Sequence, residues 1–242
     1  MSLSIIIPVY NEVKQIPKTI NKLLTLKKSK IRFELIFIDD FSNDGSLDLI
    51  QKFKKKNNRI KIFKNRKKGL GSAIETGIKK SKNIYICIFM CDLSDDVKDI
   101  LKYYKSISFD NKIDAVLGTR FSKNSKIENY PYIKLFLNRL ANNFIRMIFF
   151  SDYNDFTNAF KIYKKKTLLK LFPIVSENFN VFLELPLKII TRDLNYKIVP
   201  INWYGRKIGL SKFKIKEISS MYIFTLLYCL FEKILLKKSN RL

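Results

Sequence analysis

The chain has 242 residues, 47% of them hydrophobic, which suffices for one large domain with a real core and argues against wholesale disorder. Lys and Arg number 47 against 21 Asp and Glu, and the charge of +26 favours polyanionic partners: phosphorylated substrates, an anionic bilayer or nucleic acid. Three cysteines and no histidine argue against a disulfide framework, structural zinc and histidine-based catalysis. An AT-rich genome also produces a Lys-rich composition, so charge alone does not identify the partner.

The cysteines and the first residues of the chain indicate a cellular setting. The thiols of Cys87, Cys91 and Cys229 show no paired spacing and suit a reducing compartment. The N-terminal residues enter a short apolar run at once, without the basic and long apolar regions of a signal peptide. We therefore expect a cytoplasmic protein.

Strand-like and helix-like segments alternate along the first 120 residues. A β-branched run at residues 4–9 predicts a strand buried on both faces, and apolar residues at helical spacing predict a helix over 12–26. The following segments predict strands at 33–38, 60–63, 84–90 and 115–118, and helices at 46–53, 71–80 and 97–104. This order is typical of an α/β fold with a parallel sheet and helices on both faces.

Polar segments rich in carboxylates follow three of these strands, at residues 10–12, 39–45 and 91–96. Ligands of parallel sheets bind beyond the carboxyl ends of the strands, so we expect these segments to form the site. Helix capping is an alternative for Asp44 and Asp95. It does not explain the adjacent Asp39 and Asp40, whose like charges are tolerated against the donors of a nucleotide or against a cation.

A glycine-rich segment at residues 67–73, Lys-Lys-Gly-Leu-Gly-Ser-Ala, precedes the third predicted helix. It is similar to a loop that cradles phosphate at a helix N-terminus. It lacks the Lys-Ser/Thr ending of a P-loop and the complete dinucleotide-binding pattern. Close packing of the helix on the sheet would explain the glycines equally well.

Nine segments between residues 3 and 215, in consistent order, resemble family 2 glycosyltransferases, specifically the dolichol- or polyprenol-phosphate mannose synthases. The segments are IIIPVYNE (5–12), IDDFSNDGS (38–46), GLGSAIETGIKKSK (69–82), FMCDLSDD (89–96), LGTRF (117–121), NRLANNFIR (138–146), DFTNAFKIYKKK (155–166), FLELPLK (182–188) and YGRKIGLSKFK (204–214). The resemblance implies one GT-A, Rossmann-like domain over residues 1–215 with a mostly parallel sheet. It also implies an inverting transfer of a hexose from a nucleotide sugar, GDP-mannose or a UDP-sugar.

The resemblance also implies roles for individual residues. The nucleotide pocket would comprise Pro8, Tyr10, Glu12, Asp39 and Asp40. Asp92 matches the last Asp of the family's Asp-x-Asp motif, which holds Mg²⁺ or Mn²⁺ against the diphosphate, and Arg120 matches a basic residue near the phosphates and the sugar. The residues that would bind acceptor phosphate or close a loop over the donor are Lys134, Asn138, Arg206, Ser211 and Lys212. Asp155 and Glu184 match acidic positions near the sugar.

The metal motif departs from the family pattern at two positions. Met90 replaces the usual Asp, and Ser94 replaces a Gln. Asp92, alone or with Asp95 or Asp96, could hold a mostly hydrated Mg²⁺ or Mn²⁺, or Lys and Arg side chains could neutralise part of the diphosphate. We expect a metal-dependent enzyme in which Asp92, Arg120 and Arg206 stabilise the leaving group.

The acceptor is predicted from the chemistry of the nucleophile. A hydroxyl would need a general base, for which Asp155 and Asp96 are candidates, whereas a phosphate is already ionised near neutral pH. The absence of His and the many cations favour a polyprenyl or dolichyl phosphate. A saccharide hydroxyl, as in cell-surface polysaccharide synthesis, is the alternative.

The C-terminal segment, residues 216–242, is predicted to be a membrane-surface anchor. Residues 221–231 contain ten apolar residues and one Thr, too few to span a bilayer, and basic residues flank them. A second amphipathic segment occupies residues 135–150. These features predict a peripheral protein on the cytoplasmic membrane face, with a helix packed on the protein or paired in a dimer as the alternative.

Other classes of function explain fewer features. Nucleic-acid binding accounts for the charge, but carboxylates at strand ends would repel a phosphate backbone, and no nucleic-acid module is present. A sugar-1-phosphate nucleotidyltransferase needs a Gly-rich, Arg-containing loop near the first strand, where this chain has Pro-Val-Tyr-Asn-Glu. A non-catalytic family member remains an alternative because of Met90.

Overall fold

The computed structural model describes residues 2–205 and 215–239. The strands are β1 (Ser2–Val9), β2 (Arg32–Asp39), β3 (Ile60–Lys64), β4 (Tyr85–Ile88), β5 (Ala115–Thr119), β6 (Ile127–Glu128), β7 (Lys161–Lys164), β8 (Tyr196–Pro200) and β9 (Trp203–Tyr204). The helices are α1 (Ile16–Leu24), α2 (Ser46–Lys56), α3 (Leu70–Lys80), α4 (Val97–Phe109), α5 (Tyr132–Phe149), α6 (Lys165–Lys170), α7 (Val181–Thr191) and α8 (Ile215–Ser239), with a 3-10 turn at Thr25–Lys28.

A seven-stranded sheet with the order β3-β2-β1-β4-β7-β5-β8 forms the centre of the molecule. Its pairs are parallel except those of β7, which runs antiparallel to both β4 and β5. The predicted α/β fold with a mostly parallel sheet is confirmed. The largest shift in a predicted boundary is at α4, which ends at Phe109 and not at residue 104. Helix α1 begins at Ile16 because residues 12–15 form a turn before Pro17.

The sheet is covered on both faces by apolar side chains, as the β-branched strands predict. One cluster joins β1 and β2 to α1 and α4, with Ile5, Phe37 and Ile100 fully buried. The other joins the opposite face to α3 and α7, with Ile36 and Ile74 fully buried. Each such side chain contributes about 1.5–3 kcal/mol relative to an exposed position, so these layers hold the strand ends in fixed positions.

The reversed strand β7 has a consequence for the site. Its first residue, Lys161, pairs with Ile88 of β4 and with Leu117 of β5, at the edge where both parallel strands end. The segment that precedes β7, residues 150–160, therefore lies at the same edge as the carboxylates that follow β1, β2 and β4. Asp155 lies in this segment.

Helix α8 packs on α7 and on the segment that precedes it. Thr225 and Cys229 are fully buried, and Arg192 forms an ion pair with Glu232 at 2.6 Å. Lys233, expected only as a flanking charge, donates a hydrogen bond of 2.6 Å to the Phe149 carbonyl and so joins α8 to α5. Among the described residues, no helix combines the length and apolar character needed to cross a bilayer.

The outward faces of α5 and α8 are apolar and exposed. On α5 the exposed side chains include Tyr132, Ile133, Phe136, Leu140, Phe144 and Met147. On α8 they include Ile223, Phe224, Leu227, Phe231, Ile234 and Leu235. Phe149, which the sequence pattern places with the first group, is only 1% exposed and belongs to the core. We call the two outward faces together the apolar surface.

Candidate active site

Two neighbouring carboxylates at the end of β2 have different surroundings. Asp40 is buried and accepts hydrogen bonds from the Gly69 amide at 2.9 and 3.1 Å and from Asn65 Nδ2 at 2.8 Å. Asp39 accepts a bond from the Ser42 amide at 3.3 Å, and its buried Oδ1 has no hydrogen-bond partner within the described residues. Asp39 is therefore the carboxylate with an oxygen left for a ligand, whereas Asp40 holds the chain around it.

The glycine-rich segment forms a wall beside these carboxylates, and we call residues 65–71 the wall loop. A Cβ on Gly71 would lie 1.8 Å from the Ser176 carbonyl oxygen, and one on Gly69 would lie 2.6 Å from that of Glu177. The amides of Gly69 and Gly71 already donate to Asp40 and to the Glu177 carbonyl. Close packing, not a phosphate cradle, thus explains the glycines.

The end of β1 forms the other side of this pocket. Pro8 is buried in the strand, and Tyr10 and Glu12 follow it with partial exposure. The ammonium of Lys68, from the wall loop, lies over the Tyr10 ring at 5.2 Å from its centroid. The Glu12 amide donates to Ser46 Oγ at 2.9 Å.

Phe41 is a residue of this pocket that sequence reasoning missed. Its side chain is 53% exposed, and its φ of 62° lies in the left-handed region. A bulky residue is strained there, and such strain concentrates at functional sites. The available signal was an aromatic residue directly after Asp39 and Asp40 in an otherwise polar segment.

The metal-motif segment follows β4. Asp92 is partly exposed, and its Oδ1 accepts a hydrogen bond from the Ser94 amide at 3.1 Å. Gln15 Nε2 donates to the Asp92 carbonyl at 3.1 Å and so ties this segment to the turn before α1. Met90 is partly buried and packs against the second apolar cluster.

The capping role considered for Asp95 belongs to Asp96, which accepts a bond from the Lys98 amide at 2.9 Å at the start of α4. Asp95 instead lies below the surface, 5% exposed, and its Oδ1 has no hydrogen-bond partner within the described residues. Burial, together with the negative charge of Asp92, raises the pKa of Asp95 to about 8. Asp44, the other candidate, does accept bonds from the Ser46 amide and hydroxyl at the start of α2.

The raised pKa of Asp95 predicts a pH dependence of stability. Between pH 4 and 7 the folded protein keeps a proton on Asp95 that the unfolded chain releases, so its contribution to stability falls as pH rises. We expect Asp95→Asn to have a smaller loss of melting temperature between pH 5 and pH 7 than the native protein. Equal losses in the two proteins would show that Asp95 ionises normally, and Asp96→Asn is the matched control.

Arg120 and Asp155 form the central ion pair of the site. Both are buried, and Asp155 accepts from Arg120 Nη2 at 2.6 Å, Nε at 2.9 Å and the backbone amide at 2.8 Å. Burial opposes the charge on Arg120, but the Asp155 carboxylate outweighs it and raises the Arg120 pKa. The rings of Phe121, Tyr130 and Trp203 surround the guanidinium at 5.3–6.0 Å. Arg120 therefore keeps its positive charge.

Lys161 lies beneath this pair and was not predicted as a site residue. It is 1% exposed, and its ammonium donates to the carbonyls of Phe156 and Asn158. Burial lowers the pKa of Lys161 to about 7, although Asp155 acts in the opposite direction. The only sequence signal was a Lys at the start of a short apolar strand.

Of the five residues predicted to bind the acceptor or to close over the donor, two lie among the described residues. Asn138 of α5 donates to Thr157 Oγ1 at 3.0 Å, and Thr157 accepts from Arg120 at 3.4 Å, so α5 reaches the central pair. Lys134, one turn earlier on α5, is exposed. The roles predicted for Arg206, Ser211 and Lys212 lie outside the described residues, which end here at Gly205 beside β9.

Glu184 has its contacts elsewhere. It is fully buried, pairs with Lys188 at 2.6 Å, and accepts bonds from the amides of Val175 and Ser176. Both of its oxygens therefore hold the segment before α7. This segment, residues 173–180, we call the connector.

The carboxylates at this edge of the sheet determine whether a divalent cation fits. Within the part of the chain that the structure describes, no three His, Cys, Asp or Glu side chains come together as a metal site. Mg²⁺ in nucleotide enzymes is commonly held by one or two carboxylates, waters and substrate phosphates. The partly exposed Asp92 fits that arrangement as the protein ligand.

The carboxylates that follow β2 and β4 and the buried Arg120–Asp155 pair lie at one edge of an α/β sheet, the edge at which parallel sheets bind their ligands. The chain belongs to glycosyl transferase family 2, whose family model matches residues 4–172. It is therefore a glycosyltransferase. The resemblance seen in the sequence segments is confirmed.

Characterised relatives are similar over most of this chain. Dolichol-phosphate mannosyltransferase of Pyrococcus furiosus is 26% identical over 224 residues, which cover 90% of this chain but 61% of that protein. The chain thus spans less than two thirds of this relative's length. Polyprenol monophosphomannose synthase of Mycolicibacterium smegmatis is 23% identical over 216 residues, covering 86% of this chain and 79% of that protein.

Solved structures show the same fold. Glucosyl-3-phosphoglycerate synthase from Mycobacterium tuberculosis, in complex with Mn²⁺, UDP and glucosyl-3-phosphoglycerate, matches with a TM-score of 0.69 at 15% identity, over 94% of this chain and 79% of that chain. Another structure of that protein contains Mg²⁺ and UDP. At this identity the likeness shows the GT-A fold alone.

Proposed function

We propose that this glycosyltransferase transfers a hexose, with inversion, from GDP-mannose or a UDP-sugar to a polyprenyl or dolichyl phosphate. The main support is the state of the two carboxylates that a hydroxyl acceptor would need as a base. Asp155 is fully buried with both oxygens bonded to Arg120, and Asp96 caps α4. An acceptor that is already ionised needs no base, which favours phosphate over a saccharide hydroxyl.

The donor would bind between the ends of β1 and β2. The Oδ1 of Asp39, which has no hydrogen-bond partner among residues 2–205 and 215–239, would accept a hydrogen bond from the base or ribose. Tyr10 and Phe41 offer aromatic faces, and Pro8 and Glu12 complete the wall. Asp40 contributes by holding the wall loop. The diphosphate then extends towards Asp92 and Arg120.

Transfer requires that the charge developing on the leaving diphosphate be stabilised. A divalent cation bound at Asp92 would supply part of this stabilisation. Arg120 supplies a fixed positive charge whose orientation Asp155 and Thr157 maintain, so little reorganisation is needed during the reaction. Arg206 is proposed to act on the same phosphates, as the family resemblance implies.

The acceptor phosphate would approach from α5. Asn138 and Arg120 both donate hydrogen bonds to the hydroxyl of Thr157, and Lys134 lies on the same helix as Asn138. Ser211 and Lys212 are proposed to complete this site. The polyprenyl chain would then lie along the apolar surface.

The apolar surface supports a membrane location, and we propose that it is on the cytoplasmic face. An outward face this apolar is unusual for a protein surrounded by water, and its size indicates an interaction with lipid or protein. Burial in the acyl boundary stabilises such faces by about 25 cal/mol per Å² of apolar area. Lysines near an anionic surface each add about 1 kcal/mol.

We expect the double variant Phe224→Glu with Phe231→Glu to be released from vesicles that contain anionic lipid. In this variant two negative charges replace two exposed aromatic rings that would be buried in the membrane. Co-sedimentation measures the bound fraction, and high salt should also lower it because the electrostatic part is screened. Phe109→Glu is the control, since Phe109 is 95% exposed on α4, which packs on the other face of the sheet. Retained binding by the double variant would place the membrane contact elsewhere.

A ligand screen followed by a transfer assay tests the proposed function. The melting temperature is measured with UDP, GDP, UDP-glucose and GDP-mannose in the presence of Mg²⁺ or Mn²⁺, because a ligand of the native state raises it. Transfer from the stabilising donor is then measured to a polyprenyl phosphate and to a saccharide. Transfer to the saccharide alone would overturn the acceptor, and stabilisation without transfer to either would indicate a non-catalytic protein.

A further inference from the structure

The buried hydroxyl of Thr225 connects α8 to the connector. Thr225 is 0% exposed, and its Oγ1 lies 3.2 Å from Ser176 Oγ and accepts from Asn180 Nδ2 at 2.9 Å. It also donates to the Met221 carbonyl at 2.9 Å, so its bonding capacity is filled. Two side chains of the connector thus depend on one hydroxyl of α8.

The connector in turn supports the wall loop. The Glu177 carbonyl accepts from the Gly71 amide at 2.8 Å, and the carbonyls of Ser176 and Glu177 approach the two glycines too closely for any side chain there. Glu184 fixes the connector from below through the amides of Val175 and Ser176, at 3.0 and 2.7 Å. A shift of Ser176 is therefore transmitted to the wall loop.

The wall loop completes the path to the donor pocket. The Gly69 amide holds both oxygens of Asp40, and Lys68 lies over Tyr10. Asn65 bonds Asp40 and also accepts from Thr76 of α3 at 3.0 Å. The hydrogen-bonded route from α8 to the pocket is thus continuous through Thr225, Ser176, the connector and the wall loop.

We propose that Thr225 is a positioning residue of the donor pocket, through which the seating of α8 on a membrane raises the affinity for the donor nucleotide. This inference depends on the proposed function, in which the pocket beside Asp39 and Asp40 binds the donor. The outer face of α8 is exposed and apolar, whereas its inner face bears Thr225, so the same helix would contact the proposed bilayer on one side and contacts the connector on the other. A bilayer that immobilises α8 holds these hydrogen bonds in place and lowers the ordering cost of nucleotide binding.

The first test compares Thr225→Val with Thr225→Ser in the full chain. The Val variant keeps the shape but leaves Ser176 and Asn180 without their partner, whereas Ser retains the hydroxyl. We expect the dissociation constant for UDP or GDP, whichever binds the native protein, to rise about five-fold or more in Thr225→Val and to stay near the native value in Thr225→Ser. A purely structural role would lower the melting temperature of Thr225→Val and leave the dissociation constant at 20 °C unchanged, and that result would overturn the proposal.

The second test adds anionic vesicles. We expect them to lower the dissociation constant of the native protein and to leave that of Thr225→Val unchanged. By reciprocity the nucleotide should strengthen native vesicle binding by the same factor. An equal effect of vesicles on both proteins, or no effect on either, contradicts the coupling.

A second variant keeps the proposal testable if Thr225→Val does not fold. Ser176→Ala removes one of the two connector bonds and leaves Asn180 bonded to Thr225. It should give a smaller rise of the dissociation constant for the nucleotide.

Asp40→Ala separates the proposed function from the inference about Thr225. Loss of nucleotide binding in Asp40→Ala with native binding in the Thr225 and Ser176 variants would overturn this inference alone, whereas a native protein that binds no nucleotide would overturn the proposed function and this inference with it.

Discussion

Asp92→Ala is expected to lower transfer by about 100-fold or more while the protein remains folded. Asp92 is partly exposed, and its side chain makes one hydrogen bond, to the Ser94 amide, so its loss costs little stability. Its removal deletes the proposed protein ligand of the cation that stabilises the leaving diphosphate, and loss of one such group typically costs 100-fold to 1,000-fold in rate. The rate is measured at saturating donor with Mg²⁺ and with Mn²⁺.

The matched control for this experiment is Asp96→Ala, four residues along the chain. It removes a helix cap at a cost of about 1 kcal/mol and should leave transfer close to native. Equal losses in the two variants would remove Asp92 from the mechanism.

Met90→Asp restores the acidic residue of the family motif and should increase the affinity for Mn²⁺, measured by the metal concentration at half-maximal rate.

Arg120→Met is expected to abolish transfer and to lower the free energy of unfolding by about 3–5 kcal/mol, the usual cost of breaking a buried ion pair by removing one partner. Asp155, which is 0% exposed, would be left charged without its guanidinium. Chemical denaturation gives the stability and the transfer assay gives the rate.

The double variant Arg120→Met with Asp155→Leu separates the two effects. Removing both charges eliminates the uncompensated carboxylate, so stability should recover in part, while transfer should remain absent because the fixed positive charge is missing. A double variant that regains activity would show that the pair serves the fold alone. A single variant of native stability would contradict the geometry of the pair.

The amino-acid sequence by itself determined the strands and helices of the first half of the fold and the edge of the sheet where the candidate site lies. β-branched runs predicted β1 and β2 because a strand buried on both faces must be apolar throughout. Polar residues after those strands indicated the site because parallel strands end at a common edge. The sequence also indicated that residues 135–150 and 221–231 are apolar, but it did not separate the buried Phe149 and Thr225 from the exposed side chains of the same helices.

Only the tertiary structure decided the partners of the site residues. Local periodicity reports burial, but it does not show that Asp40 bonds Gly69, that Asp96 rather than Asp95 caps α4, or that Arg120 pairs with Asp155. The antiparallel insertion of β7 between β4 and β5 brings residues 150–160 to the active edge, and no feature of that segment predicts it. These contacts join residues far apart in the chain, so they depend on how the whole sheet is assembled.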